Sequence, residues 1–369
     1  MRKGWEYKKL NEVCEKGTSN IVINKLADNK GKYPLFGASG LVKNIDFFHQ
    51  DKPYIGIVKD GAGVGRVNIY PAYSSLVGTM QYIFPKEGYS IDFIKYFLVK
   101  LDLSHCVSGA TIPHIYFKDY GKENIPTPSL ATQLAIVTEL DKINELIRLK
   151  KEQLKDFDNL AQSLFYEMFG DPVENEKGWE VKKLGEIGEF KNGLNFSKDE
   201  KGLSIKFLGV SDFQNKKSIA SNQLAYISLS ERVQEDYLLK TGDIVFVRSN
   251  GKKELIGRSV KMYITEPTTY SGFCIRCRIT DEKVDKDYIA ILLKTPIIRQ
   301  FMTNSGRGCN ISNLNQKVLN SIPTILPPLP LQRLFAQRIE QIEREKSEVQ
   351  KSIQDLETLL ASRMQYWFE

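Results

Sequence analysis

Two stretches of the chain carry hydrophobic residues at alternating steps of three and four positions, the spacing of a helix that buries one stripe. The apolar positions are Leu140, Ile143, Ile147, Leu154, Phe157, Ala161 and Leu164 in the first stretch, and Ile339, Ile342, Val349, Ile353, Leu356 and Leu360 in the second. Charged residues flank both stripes, as in the heptad seam of a coiled coil. The spacing predicts helices over 131–170 and 331–369.

Neither helix could be stable alone with so narrow a stripe. We expect the two helices to pair with each other, antiparallel, and to hold the rest of the chain at opposite ends of a rod roughly 57 Å long, at ~1.5 Å per residue. The alternative is that each helix packs only against the block that precedes it. Prolines lead into both helices, and Gly170 and Pro172 favour the end of the first.

Outside these stretches the pattern predicts a mixture of short strands and helices. The runs 53–58, 81–84, 243–247 and 273–279 are rich in β-branched and aromatic residues and are bounded by turn residues, which favours strands. Ile91–Leu101 and Tyr288–Met302 have the apolar spacing of short amphipathic helices.

The sequence also contains an internal repeat. Six of seven residues are identical between Gly4–Leu10 and Gly178–Leu184, at an offset of 174. A second pair, Pro128–Gln133 and Pro327–Gln332, matches at an offset of 199, which also superimposes one heptad seam on the other. Two landmarks in the same order in both halves indicate a tandem duplication.

The predicted fold class is therefore mixed α/β: two duplicated globular domains, separated by two long helices that form an antiparallel coiled coil. The predicted boundaries are a first globular domain at 1–130, a first helix at 131–170, a linker at 171–177, a second globular domain at 178–330 and a second helix at 331–369.

Composition and charge narrow the class of protein. The chain has 369 residues, 41% of them hydrophobic, which is ordinary for globular proteins, and no apolar run approaches the ~18 residues of a membrane span. Five irregularly spaced cysteines and the absence of an export signal at the start of the sequence indicate a cytoplasmic protein.

Residues 1–130 carry 17 Lys and Arg against 12 Asp and Glu, and residues 178–330 carry 23 against 16. Basic globular units suit a polyanion such as DNA, although the first excess is also unremarkable for a block of that size.

The sequence offers no credible catalytic residues and no metal site. Gly61–Gly65 follows a strand like a nucleotide-binding loop, but a second predicted strand comes next where a helix is needed, so a hairpin turn is favoured. Cys274 and Cys277 lie three apart in a predicted strand, where they would point to opposite faces. His49, His105 and His114 have no ligand spacing. We expect a binding protein and no cofactor in this chain.

Several motifs together resemble the specificity subunits of Type I restriction-modification systems. They are the Gly-Trp-Glu openings at 4–10 and 178–184, Gly242-Asp243-Ile244-Val245 with its basic loop, Ser108-Gly109-Ala110, Ser305-Gly306-Arg307, and the Pro-x-Leu-x-x-Gln helix entries at 128–133 and 327–332. The resemblance covers nearly the whole chain, and the duplicated order is more specific than any single motif. In one departure, the first block has Gly56-Ile57-Val58-Lys59 in place of a clear Gly-Asp-Ile-Val.

The resemblance implies a non-catalytic DNA reader. Each globular block would be a target recognition domain for one half of a bipartite, asymmetric DNA target, and the helices would set the gap between the halves. The chain would dock two methyltransferase subunits, which methylate adenine N6, and two restriction subunits could join them. S-adenosylmethionine, ATP and magnesium would belong to those partners. Apolar helix positions outside the seam, Leu146, Leu149 and Phe165, are candidate partner contacts.

The candidate DNA contacts are long polar side chains on loops, because Arg and Lys pair with guanine and Asn with adenine. They are Lys59, Arg66, Asn68, Thr111 and His114 in the first block, and Arg248, Ser249, Asn250, Lys252, Lys253, Arg258, Arg307, Asn310 and Asn313 in the second. Arg66 and Arg258 both follow a glycine and occupy apparently corresponding positions. Most basic loop residues contact only phosphate or solvent, so each is a candidate rather than a reader.

Two other functions remain open at this point. One is the specificity part of a fused Type II-like methyltransferase or nuclease, against which the missing catalytic motifs count. The other is a coiled-coil scaffold associated with DNA but without sequence specificity, which the basic blocks disfavour.

Overall fold

The computed structural model describes residues 5–109, 111–195, 202–213, 218–249, 255–304 and 314–369. The chain divides into two compact units. Unit 1 combines Met1–Gln153 with Val349–Glu369, and unit 2 is Leu154–Glu348. Each unit therefore contains a globular block together with pieces of both long helices. Among the described residues, no helix is both long enough and apolar enough to cross a bilayer.

The elements follow the same order in both halves, except that the second half adds β13 and α7. Those of the first half are β1 (Tyr7–Lys9), α1 (Leu10–Val13), β2 (Cys14–Thr18), β3 (Tyr33–Gly37), β4 (Gly40–Ile45), β5 (Tyr54–Val58), β6 (Val67–Tyr70), β7 (Ser75–Leu76), β8 (Met80–Pro85), α2 (Ile91–Leu101), α3 (Phe117–Tyr120), β9 (Asn124–Pro126) and α4 (Leu130–Phe169). Those of the second half are β10 (Glu180–Lys183), α5 (Leu184–Ile187), β11 (Gly188–Asn192), β12 (Leu203–Leu208), β13 (Ser218–Ala220), β14 (Tyr226–Leu229), β15 (Ile244–Val247), β16 (Ser259–Tyr263), β17 (Thr268–Tyr270), β18 (Cys274–Ile279), α6 (Lys286–Leu292), α7 (Pro296–Asn304), α8 (Gln316–Asn320), β19 (Pro323–Leu326) and α9 (Leu329–Phe368).

The sheets confirm the predicted duplication. Unit 1 has an antiparallel sheet in the order β2-β8-β5-β6, and unit 2 has the matching order β11-β18-β15-β16 with β13 added in parallel at its edge. A smaller sheet follows in each unit, β4-β3-β7 and β14-β12-β17, whose last pairing is parallel in both cases. The four runs predicted as strands form β5, β8, β15 and β18.

The shared openings at 4–10 and 178–184 have a structural role. Their strands pair with the segment that leads into each long helix, as β1 with β9 and β10 with β19. Immediately after each strand, the N–H of Lys9 donates to Glu12 Oε2 and that of Lys183 to Glu186 Oε2, at 2.6 Å in both cases. These carboxylates satisfy backbone donors that a short helix leaves free at its start.

The shared glutamines explain the helix entries. Gln133 and Gln332 are each 1% exposed. Gln133 accepts the N–H of Ser90, the residue before α2, at 2.9 Å, and Gln332 accepts the N–H of Asp285, the residue before α6, at 2.9 Å. Each amide nitrogen donates to the carbonyl five residues earlier, at Pro128 or Pro327. The motif therefore ties the start of each long helix to the shorter helix of its block.

The two long helices pair antiparallel within each unit. In unit 1, Glu139 of α4 accepts hydrogen bonds from Arg363 of α9, and Lys151 lies 2.7 Å from Glu357. In unit 2, Lys346 of α9 lies 2.5 Å from Asp158. Residue numbers rise along α4 as those of the partners fall along α9. The predicted antiparallel pairing of the two helices is therefore confirmed, and the alternative that each packs only on its own block is wrong.

Aromatic residues near the ends of the two helices enter the cores of the units. In unit 1, Phe368 is 6% exposed, and its ring centroid lies 5.1 Å from that of Phe93. In unit 2, the corresponding Phe169 is fully buried, 5.1 Å from Tyr288. Phe165 is 1% exposed in the same core, so its assignment as an apolar position left over for partners is wrong.

The predicted seam positions are all buried or half-buried. The buried ones are Leu140, Ile143, Ile147, Ile339, Ile342, Val349 and Ile353, and the half-buried ones are Leu154, Phe157, Ala161, Leu164, Leu356 and Leu360. By contrast, Leu146 and Leu149 are 48% and 46% exposed.

The helix predicted over Tyr288–Met302 is instead two helices, α6 and α7, divided before Pro296. Proline has no N–H to continue a helix and fits only its first turn.

Candidate nucleic-acid interface

The candidate contacts of the first block meet at one end of its main sheet. The turn between β5 and β6 contains Gly61, Gly63 and Gly65, all with φ between +83° and +89°, a conformation that favours glycine. It closes through the N–H of Gly65, which donates to Val58 O at 2.8 Å. The prediction of a hairpin turn here is confirmed, and a nucleotide loop that opens a helix is excluded.

A second segment, 108–114, of which 108–109 and 111–114 are described, is fastened to this turn. Gly61 N–H donates to Pro113 O at 2.9 Å, and Ile115 N–H donates to Lys59 O at 3.0 Å. The Asp60 carboxylate lies 3.6 Å from Lys59 Nζ and 4.0 Å from His114 Nδ1. Lys59, His114 and this carboxylate, which the sequence reasoning missed, therefore form one cluster.

The other candidates of the first block flank this cluster. Arg66 lies over Gly63, where a Cβ would be 2.7 Å from its guanidinium carbon, and its Nη1 donates to Ala38 O at 3.3 Å. Asn68 is exposed on β6, and Thr111 is exposed in the segment 108–114. The β3–β4 turn at Ala38 thus joins the β5–β6 turn at one edge of the block.

The second block repeats this arrangement. Arg248 follows β15, its N–H donates to Phe273 O at 2.8 Å, and its own carbonyl accepts from Leu314 N–H at 2.8 Å. In the first block, Lys59 makes the same two contacts with Thr79 and Ile115. Lys59 and Arg248 therefore occupy equivalent positions, each directly after the central strand.

The two glycine-arginine pairs are also equivalent. Val58 N–H donates to Arg66 O at 3.0 Å, and Val247 N–H donates to Arg258 O at 2.9 Å. Gly257, like Gly65, has a positive φ and closes the turn onto the central strand. Beside Arg258 stands Arg299, whose pKa is lowered by burial and by the Arg258 charge. Both arginines contribute positive charge to this edge of the block.

The remaining candidates of the second block divide into two groups. Ser249 is half-buried, and its N–H points to Phe273 O at 3.5 Å. Asn250, Lys252, Lys253, Arg307, Asn310 and Asn313 lie outside the described residues. Phe273, which the sequence reasoning missed, is 59% exposed beside Arg248. The sequence feature that could have identified Phe273 is its position as a large aromatic residue directly after the Ser271-Gly272 turn.

The Gly-Asp-Ile-Val motif has an internal role. Asp243 is 2% exposed and accepts two hydrogen bonds from Arg278, at 2.8 and 2.7 Å. Strand register places Tyr54 at the equivalent position of the first block, against Tyr82 at 4.9 Å. The sequence reasoning had set Gly56 opposite Gly242, a register shifted from the one observed. In the first block, Tyr54 packs edge-to-face on Tyr82 and Phe84 where the second block has the ion pair, so the aspartate of the motif is absent there.

The cysteine pair is structural. Cys274 and Cys277 are fully buried and belong to two different cores on opposite faces of β18. Burial raises the pKa of Cys274 to about 12, so the thiol keeps its proton. Across the described part of the chain, no group of three or more His, Cys, Asp or Glu side chains is placed to hold a metal ion.

Comparison with known proteins adds an independent finding. The family model of the Type I restriction modification DNA specificity domain matches residues 2–156 and 176–358. The Type I restriction enzyme StySPI specificity subunit of Salmonella potsdam is 25% identical over 298 residues, which cover 76% of this chain and 64% of that protein. The EcoKI specificity subunit of Escherichia coli K12 is 24% identical, covering 72% and 61%. The matched regions thus span less than two thirds of either relative.

Solved structures show the same fold. The S subunit of a Type I restriction-modification system from M. genitalium superimposes with a TM-score of 0.56 at 16% identity, over 99% of this chain and 96% of that one. A chain from a type I R-M system studied for complex assembly and conformational transition gives a TM-score of 0.64 at 17% identity, over 99% and 97%.

Proposed function

Because this chain belongs to the family of Type I restriction modification DNA specificity domains, we propose that it is the non-catalytic, DNA-reading subunit of such a system. One observation carries the proposal: both blocks present a basic residue directly after the central strand and an arginine directly after the glycine of the next turn. Lys59 and Arg66 have this placement in the first block, Arg248 and Arg258 in the second. Duplicated basic edges suit two half-sites of one duplex.

The local contacts suggest different roles for these residues. Arg66 rests on a glycine and a backbone carbonyl, which limits its side-chain freedom and suits a fixed contact with a base edge or phosphate. Lys59 is held beside Asp60, whose carboxylate can accept from the exocyclic amine of cytosine. Because the equivalent residue in the second block is Arg248, the two half-sites should differ in sequence.

The long helices would set the gap between half-sites and carry the catalytic partners. Leu146 and Leu149 are large apolar side chains left about half exposed on α4, and they suit the docking of methyltransferase subunits. We place two such subunits, and optionally two restriction subunits, on this chain. S-adenosylmethionine, ATP and magnesium would then be bound by those partners. The domain boundaries 1–130, 131–170, 171–177, 178–330 and 331–369, and a cytoplasmic location, form part of the same proposal.

Methylome sequencing of a host that gains this chain with its neighbouring methyltransferase gene tests the proposal. A new split, asymmetric N6-methyladenine motif that is absent without this chain is the expected result. Arg248→Ala should relax discrimination at one base pair of one half-site by ~1–3 kcal/mol if Arg248 reads a base. Arg232→Ala in the same block, an exposed arginine on another loop, is the matched control. A motif unchanged by removal of the chain would overturn the proposal.

A further inference from the structure

Unit 2 contains a cavity of about 570 Å³ between α6, α9, β16 and the end of α4. Its apolar part is formed by Ala161, Ala290, Ile291, Ala336 and Ile339, and charged side chains surround it. The volume falls within the roughly 300–1,000 Å³ of ligand pockets. The DNA-reading edge does not use it, because none of the candidate contacts is among its lining residues.

The duplication shows which residues stand at this place in unit 1. Gln133 and Gln332 make the same hydrogen bond to the residue before α2 and α6, so the two pairs of helices can be aligned residue by residue. Tyr96 and Ile291 are then equivalent, since each lies six positions after that residue. On the long helices, Asp141 corresponds to Glu340 and Asn144 to Glu343.

A tyrosine occupies this place in unit 1. Tyr96 is 4% exposed, its hydroxyl donates to Asp141 Oδ1 at 2.6 Å, and it accepts from Asn144 Nδ2 at 2.9 Å. In unit 2, Ile291 has no ring or hydroxyl, while Glu340 and Glu343 still line the space. Val137 is replaced by Ala336, which opens the cavity further.

The lining of the cavity retains the chemistry that receives a phenol. The hydrogen bond from Arg344, at 2.6 Å, holds the pKa of Glu340 below its usual range, so this carboxylate is an acceptor. Lys261 is 7% exposed, is paired with Asp287 and lies 4.5 Å from the ring centroid of Tyr263. An aromatic group could therefore stack against apolar and aromatic surface while donating a hydrogen bond to a carboxylate.

We propose that this cavity of unit 2 is a binding site for an aromatic group that carries a hydrogen-bond donor, equivalent to the side chain of Tyr96 in unit 1. Two sources have this chemistry: a tyrosine side chain of a docked methyltransferase subunit, or a free phenolic molecule. The first source rests on the proposed function, and the second does not.

Titration of the full-length chain with p-cresol, followed by calorimetry, tests the site directly. We expect saturable binding that is roughly ten-fold or more tighter than that of toluene, which lacks the donor. Ile291→Tyr should fill the cavity and abolish p-cresol binding, whereas Ile291→Val should preserve it. In unit 1, Tyr96→Ile should create a second p-cresol site, and p-cresol should restore part of the stability lost. Equal binding of toluene, or equal p-cresol binding by Ile291→Tyr, would overturn the proposal.

Assembly with the methyltransferase subunit separates the two sources. If a partner tyrosine fills the cavity, saturating p-cresol and Ile291→Tyr should each weaken assembly about ten-fold or more, and Ile291→Val should not. Unchanged assembly together with lost p-cresol binding assigns the site to a free phenolic molecule. Both outcomes are independent of DNA recognition, so a failure of the proposed function would show separately in the methylome.

Discussion

Replacing Phe368 with alanine should destabilise unit 1, although most of unit 1 lies more than 200 residues earlier in the sequence. The Phe368 ring is 6% exposed and lies 5.1 Å from Phe93 and 6.0 Å from Phe97, both on α2. Truncating a buried phenylalanine removes its transfer free energy and leaves a cavity, at a cost of about 3–5 kcal/mol. For a unit of this size, that corresponds to a fall in Tm of roughly 6–20 °C.

Hydrogen exchange resolves where the destabilisation falls. In Phe368→Ala, amides of α2 and of β5 should exchange faster, while those of α6 and β15 should keep their wild-type rates. Phe169→Ala is the matched variant, because Phe169 makes the equivalent contact with Tyr288 in unit 2 and also packs against Phe335, and it should give the reverse pattern. Leu359→Ala, 45% exposed on α9, should cost less than about 1 kcal/mol. Two results would refute the packing of Phe368 in the core of unit 1: equally faster amide exchange in both units, or a loss of stability below about 1 kcal/mol for Phe368→Ala.

Gln332→Ala should lower the free energy of unfolding of unit 2 by about 1–3 kcal/mol in urea titrations, because the Asp285 N–H loses its buried acceptor. A change below about 0.5 kcal/mol would contradict this role of Gln332. Removing one heptad from each of α4 and α9 shortens both by about 10 Å, so the methylated motif should lose roughly three base pairs of gap, and an unchanged gap would dissociate helix length from spacing. The hydrogen bonds from Arg363 lower the pKa of Glu139, so their contribution to stability is present above the ordinary carboxyl value of 4.5 and is lost as the pH falls through the lower folded value. Glu139→Gln should therefore make unit 1 less sensitive to acid below pH about 5, as measured by Tm against pH, and a parallel curve would count against the pair.

The sequence predicted the architecture because the same motifs occur in the same order in both halves of the chain. Heptad spacing and two matched landmarks were enough to place α4 and α9 and to pair them. This was possible because helical periodicity depends only on residues close together in the sequence. The division between α6 and α7 was missed because the apolar spacing continues across Pro296, and the proline outweighed the pattern.

The candidate site was harder to predict because it depends on contacts between distant loops. The equivalence of Arg66 and Arg258 in the two blocks was visible in the two glycine-arginine dipeptides. Asp60 beside His114 could not be foreseen, because only the hydrogen bonds of the segment 108–114 bring them together. The alignment of Gly56 with Gly242 was wrong because edge-to-face aromatic packing in the first block and an ion pair in the second occupy equivalent positions with unrelated side chains.

Unit 1 cannot complete its folding until the last segment of the chain has been translated. Residues 1–153 leave the ribosome long before Val349–Glu369, the segment that completes the same unit. At about 5–20 residues per second, Phe93 and Phe97 would wait roughly 14–55 s for Phe368. Throughout that interval the nascent chain exposes an aromatic surface that only its own later translation can cover. Unit 2, in contrast, is a continuous stretch, so the half that is translated second can be the first to finish folding.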